Sequence, residues 1–171
     1  VIYHRMVTIG AWAFKNSTSL TSVTFADGYG GRDLETIGKY AFENTAITSI
    51  IIPASVTEIK EGAFYLCSNI TSFTFAAGSG LSIIEGLSFY GCSGLLSIEI
   101  PASVTNIGSG PAPWSAFEGC TDLTSVTFVD IENSLLQTIQ QKAFYGCSSL
   151  TSIEIPASVT EIGEQAFYGC S

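Results

Sequence analysis

The sequence predicts a right-handed parallel solenoid, mostly β and within the α/β class, built from roughly seven stacked units over residues 1–171. Three observations carry that expectation. Phenylalanine recurs at Phe14, Phe42, Phe64, Phe89, Phe117, Phe144 and Phe167, at spacings of 28, 22, 25, 28, 27 and 23 residues. Between successive phenylalanines the pattern F-x-x-C-x-x-L-x-x-I-x-I-x-x-x-V-x-x-I-x-x-x-A returns with local insertions. Hydrophobic residues make up 46% of the chain and charged residues only 12%, a balance that drives folding rather than disorder. One unit is too short to bury its own apolar faces. Stacking gives each unit a neighbour to bury them against.

The stretch from Phe144 to Ala166 shows the elements in order. In Leu150-x-x-Ile153-x-Ile155 the last two apolar residues alternate with polar ones, as in a strand with one buried face. Pro53, Pro101 and Pro156 follow such strands and end them, because proline has no N–H for a ladder. The Val-Thr-x-Ile segment is rich in β-branched residues and predicts a second short strand. Gly-x-x-Ala-Phe predicts one turn of helix, closed by glycine and cysteine. Long and short units alternate. Phe25 to Leu34, Phe75 to Leu81 and Phe128 to Leu136 span 9, 6 and 8 positions, against 4 from Ile155 to Val159. The second unit, Phe42-Glu-Asn-Thr-Ala-Ile47, reads as lacking the cysteine slot, and the fourth gains five residues around Gly110–Trp114.

Composition narrows the function. A net charge of −9 repels phosphate, so no nucleic-acid partner is expected. The longest apolar runs, such as Ile50-Ile51-Ile52, are far too short to cross a bilayer, so no membrane insertion is expected within the chain. One histidine, His4, with dispersed carboxylates gives no nucleophile–base pair, so no catalytic residue and no cofactor is expected.

Cys67, Cys92, Cys120, Cys147 and Cys170 share one slot, filled by Ser17 in the first unit. Zinc wants short Cys pairs, and these neighbours lie 23 to 28 residues apart. Stacking brings their Cα atoms to about 4.8 Å, but parallel Cβ vectors stay wider apart than the ~3.8 Å a disulfide prefers. Buried thiols acting as small hydrophobes in an inward corner are the favoured reading.

The polar residues of the strand point outward. One column reads Ser22, Ser49, Ser72, Ser97, Ser125, Ser152, and the next reads Thr24, Ile51, Thr74, Glu99, Thr127, Glu154. This open face is the first candidate for partner binding, although serine and threonine also simply suit a solvated sheet. Loops 26–33 and 129–135 form a second candidate. Their Asp27, Asp33, Asp130, Glu132 and Asn133 match no calcium-loop spacing, so no metal site is expected. Trp114, in the insert that breaks the repeat, is a third. Trp12 with Tyr40, and Tyr65, Tyr90, Tyr145 and Tyr168, share slots that form either an aromatic stripe or ordinary packing. Asn16-Ser-Thr18 and Asn69-Ile-Thr71 are glycosylation sequons.

The recurring words Leu-Thr-Ser-Ile-Glu-Ile-Pro-Ala-Ser-Val-Thr-Glu-Ile-Gly-Glu-Gln-Ala-Phe-Tyr-Gly-Cys-Ser resemble the BspA-like leucine-rich repeat family over essentially the whole chain. The resemblance implies a leucine-rich-repeat solenoid of ~23-residue units, with a parallel β-sheet on one face and short helical or 3-10 turns. It also implies an extracellular or cell-surface setting, since the family occurs in anaerobic bacteria and protists, and some members are adhesins for host matrix or plasma proteins. The function expected is therefore an interaction or adhesion module for a protein or glycan partner. The alternative is a structural repeat that associates end to end into a fibre or layer. The chain opens and closes inside a unit, without the polar caps solenoids need, so either a stretch of a longer array or an array whose ends are covered by partners is expected.

Overall fold

The computed structural model describes residues 6–25, 33–110 and 115–171. The described chain winds through short strands in the order β1 (Thr8–Ile9), β2 (Thr36–Ile37), β3 (Ser49–Ile52), β4 (Glu58–Ile59), β5 (Ser72–Phe75), β6 (Ile83–Glu85), β7 (Ser97–Ile100), β8 (Asn106–Ser109), β9 (Ser125–Phe128), β10 (Thr138–Ile139) and β11 (Glu161–Ile162). All pairings are parallel, as the repeat requires.

The second strand of each unit builds the more continuous ladder. Seven strands follow in the order β1-β2-β4-β6-β8-β10-β11. Their register stacks Ile9, Ile37, Ile59, Ile84, Ile107, Ile139 and Ile162 in one column. The first strand of each unit forms a more broken face. β3 pairs with β5 and β7 with β9, and a single bridge joins Ser22 to Ser49. The solenoid thus carries sheet on two sides, beyond the one sheet face expected.

The breaks fall where a long unit meets a following short one, and proline accounts for them. Ala76 donates its N–H to Ile52 O at 2.9 Å, and Val129 to Ile100 O at 2.9 Å, closing the ladders from short to long units. In the opposite step the equivalent residue is Pro53, Pro101 or Pro156, which has no N–H. Between β5 and β7 the remaining bond is a long one, Leu96 N–H to Thr71 O at 3.5 Å.

The expected turn of helix before each phenylalanine is a pair of tight turns instead. Ala41 N–H bonds Gly38 O at 3.2 Å and Glu43 N–H bonds Tyr40 O at 3.2 Å, with Tyr40 (φ 52°) and Asn44 (φ 53°) left-handed. Those left-handed residues stop helix propagation. The N–H groups of Tyr40, Phe42 and Asn44 turn outward to Glu61, Ala63 and Tyr65 of the next coil, at 3.0, 2.8 and 2.8 Å. The corner is therefore a third inter-coil ladder. Among the described residues the only helical turn is a 3-10 turn, Ile131–Asn133, in the loop after β9.

Every apolar slot of the repeat faces a common core. Leu34, Val56, Leu81, Val104 and Leu136 form one fully buried column, and Phe42, Phe64, Phe89, Phe117 and Phe144 form another, with Phe14 and Phe167 partly exposed at its ends. From Phe14 to Phe167 adjacent Phe rings stack at 4.9–5.7 Å with interplanar angles of 1–10°.

Candidate functional site on the open sheet face

The outward columns occupy the places expected from alternation. In β3 and β7 exposed and buried residues alternate strictly, so Ser49, Ile51, Ser97 and Glu99 face out while Ile50, Ile52, Ile98 and Ile100 face the core. Ser22, Thr24, Ser72, Thr74, Thr127, Ser152 and Glu154 are also exposed, and Ser125 is half-buried. Strand pairing sets Ser49 beside Ser72, Ile51 beside Thr74, Ser97 beside Ser125 and Glu99 beside Thr127.

The structure gathers half of these residues into one site. Ser22, Thr24, Ser49, Ile51, Ser72 and Thr74 line a single groove of about 1020 Å³. Phe25, Pro53, Ala54 and Ala76 complete its apolar wall. No ionisable side chain lines it among the described residues, in a protein of net charge −9. Ile51 stands 66% exposed within it. Ser97, Glu99, Ser125, Thr127, Ser152 and Glu154 continue the columns outside the groove. The groove has no motif of its own. Its trace in the sequence is Ile51, an apolar residue where the column otherwise carries threonine or glutamate.

The walls are held by hydroxyl bonds between coils. Ser55 Oγ donates to Leu34 O at 2.8 Å, and Ser103 Oγ repeats the bond to Leu81 O at 2.7 Å, whereas the third serine of Pro-Ala-Ser-Val, Ser158, has a buried hydroxyl without such a bond. Where the first strands begin, Thr71 Oγ1 donates to Thr48 O at 3.3 Å and Thr124 Oγ1 to Leu96 O at 3.0 Å.

The cysteines lie inside the corner, away from this face. Cys67, Cys92, Cys120, Cys147 and Cys170 each donate Sγ–H to the carbonyl of the preceding coil's phenylalanine, at 2.9, 3.1, 3.2, 3.2 and 3.4 Å. Burial pushes the Cys92 and Cys120 thiols well up and the Cys147 thiol to about 12, so these side chains keep their protons. The second unit does have an occupant of this slot. Thr45 is buried, with Oγ1 3.3 Å from Cys67 Sγ, and the residue missing from that unit lies between Thr45 and Ile47.

The aromatic slots divide. Tyr65 stacks on Tyr90 at 5.0 Å and Tyr145 on Tyr168 at 5.0 Å, with Glu118 interrupting the column. Tyr40 donates its hydroxyl to Glu61 Oε1 at 2.9 Å, and its ring covers Gly62, where a Cβ would come within 2.3 Å of it. Burial, then that bond to Glu61, pushes the Tyr40 hydroxyl up to about 12. Trp12 is exposed. Lys15 pairs with Glu43 at 2.9 Å, Lys39 with Glu61 at 2.9 Å, and Lys60 with Glu58 and Glu85 at 3.0 and 3.4 Å.

Of the remaining candidates, Asn16 and Asn69 are exposed. Asn133 Nδ2 donates to both carboxylate oxygens of Asp130 at 3.0 Å. No group of three or more His, Cys, Asp or Glu side chains is placed to hold a metal among the described residues. Trp114, Asp27 and most of the 26–33 loop lie outside the described residues. No described helix is long and apolar enough to cross a membrane.

Comparison with known proteins places this geometry. No curated protein matches the chain. Among solved structures, the pneumococcal vaccine antigen PcpA is 26% identical, with a TM-score of 0.65, over 89% of this chain and 37% of that one. A leucine rich cell surface protein from Faecalibacterium prausnitzii is 30% identical, with a TM-score of 0.53, over 86% of this chain and 43% of that one. A leucine-rich repeat protein from Eubacterium ventriosum is 26% identical, with a TM-score of 0.54, over 82% and 41%. The chain thus spans less than half of each of these structures. A model of the BspA type leucine rich repeat region matches residues 1–124 and 88–171 in six copies. With its stacked phenylalanines, parallel ladders and repeated coil, the chain belongs to the BspA-type leucine-rich repeat family.

Proposed function

We propose that the chain is a protein-docking module of a cell-surface or secreted protein, and that its partner seats on the open face of the first sheet. One observation carries the reading: six face residues drawn from three coils converge on one groove of about 1020 Å³, with no charge among its described lining residues and Ile51 exposed inside it. Solenoids present extended surfaces of this kind to partners. An exposed apolar side chain ringed by hydroxyls gains free energy when a partner covers it, at about 25 cal/mol per Å². The described wall favours protein over glycan. Its aromatic ring is the half-buried Phe25, while Trp12 and Tyr168 stand elsewhere, so among the described residues the groove offers no open ring on which a sugar would stack. The F. prausnitzii neighbour is described as a cell surface protein, which supports the setting.

The test is surface plasmon resonance of the purified chain and its Ile51→Asp variant against panels of matrix proteins, plasma proteins and glycans. A protein ligand that loses about tenfold in affinity to the variant, with the thermal midpoint unchanged, supports the reading. Binding to glycans alone, or protein binding indifferent to residue 51, would overturn it.

A further inference from the structure

The docking face has two chemically different halves. Over the first three coils the described groove lining carries no charge, and Ile51 offers an apolar contact. Over the later coils the same outward column carries Glu99 and Glu154, both exposed. The loop after β9 adds exposed Asp130 and Glu132 beyond the end of that strand. The described lysines are engaged elsewhere: Lys15, Lys39 and Lys60 with glutamates of the earlier coils, and Lys142 over the Tyr145 ring. After Gly86 the sequence holds eight carboxylates and one lysine.

This arrangement selects a partner by charge. Unneutralised carboxylates on a docking face repel acidic surfaces and draw basic ones. Glu99 lies two coils beyond Ile51 and Glu154 four, about 10 and 19 Å along the axis at the strand spacing. An extended chain covers those distances in about three and six residues. We infer that the face takes an extended basic protein segment lying along the solenoid axis. Its apolar side chain sits at Ile51, and lysine or arginine about three and six residues away meets Glu99 and Glu154. The inference rests on the docking reading and adds the partner's charge pattern.

A random 12-residue peptide display library is selected on the immobilised chain, and enriched peptides are synthesised and titrated by fluorescence anisotropy. Titrations use the wild-type chain, Ile51→Asp and the double variant Glu99→Lys/Glu154→Lys, each first checked for native circular dichroism. The expected peptides carry an apolar residue with Lys or Arg at those spacings. Their affinity falls about tenfold in the double variant and weakens with added salt, and it also falls in Ile51→Asp. Peptides that need Ile51 yet lack basic residues, or that bind the double variant equally well, overturn the inference and leave the docking reading standing. No enrichment, or binding indifferent to all three substitutions, sinks both.

Discussion

Gln165 and Lys142 sit in the left-handed region at φ 58° and 57°, as do Trp12, Tyr40 and Leu87 at the same place in their coils. A side chain there costs about 1–2 kcal/mol. Gly62 fills the place in one coil, and Tyr40 uses the space its missing side chain leaves. Gln165 is exposed, so Gln165→Gly is expected to raise stability by about 0.5 kcal/mol once glycine's entropy is set against the relieved strain. Urea midpoints check this, with Tyr40→Gly expected to shift the other way because it loses the bond to Glu61. The thiols give a pH prediction. Their folded pKa values are raised by burial, so their contribution is complete below the unfolded thiol value near pH 9 and is lost as pH rises above it toward the raised folded values, about 12 for Cys147. Urea midpoints measured from pH 8 to pH 11 should therefore fall above pH 9, and less steeply in Cys120→Ser. Cys170 is half-buried, so a thiol reagent should label it before the other four.

At the scale of elements, the alternation of long and short units matters more than the repeat length. It divides the first face into β3–β5 and β7–β9 while the second ladder runs on. Hydrogen exchange should reveal this: β9 amides bonded to β7 should exchange more slowly than β7 amides turned toward β5. Equal protection would mean that proline does not set the break. The strands were legible in the sequence, because Ser-Ile-Glu-Ile alternates plainly; Pro101 was read there only as the end of a strand, not as the break between coils. The corner was not legible. Gly-x-x-Ala-Phe reads locally as a helical turn, and nothing marks Tyr40 or Leu87 as left-handed. What sets that conformation is the next coil, which accepts the corner's N–H groups, and such partners lie more than twenty residues away. The outward columns were readable, but their convergence into a groove was not, because it depends on how coils are displaced against one another. Thr45 was misread for a related reason: counting from the phenylalanine places it in the slot, whereas counting from the strand does not.

Over the whole molecule, each coil is secured only by its neighbours, so position along the stack sets the cost of a change. Phe117 stacks on both sides, at 4.9 and 5.1 Å, and is fully buried. Phe117→Ala should cost about 3–5 kcal/mol, while Phe14→Ala, at a partly exposed ring, should cost much less. Chemical denaturation of both variants checks this, and equal losses would contradict a stack secured by neighbours. The three inter-coil ladders have a mechanical consequence. Their hydrogen bonds run between coils along the solenoid axis, so tension along that axis loads them in opening rather than in shear. Pulled from its ends, the chain would yield one coil at a time. Each released coil of 22 to 28 residues would pay out about 75–95 Å of slack. The stack would then lengthen in steps under load, as a ratcheted tether does, while the coils still closed keep their open sheet face intact.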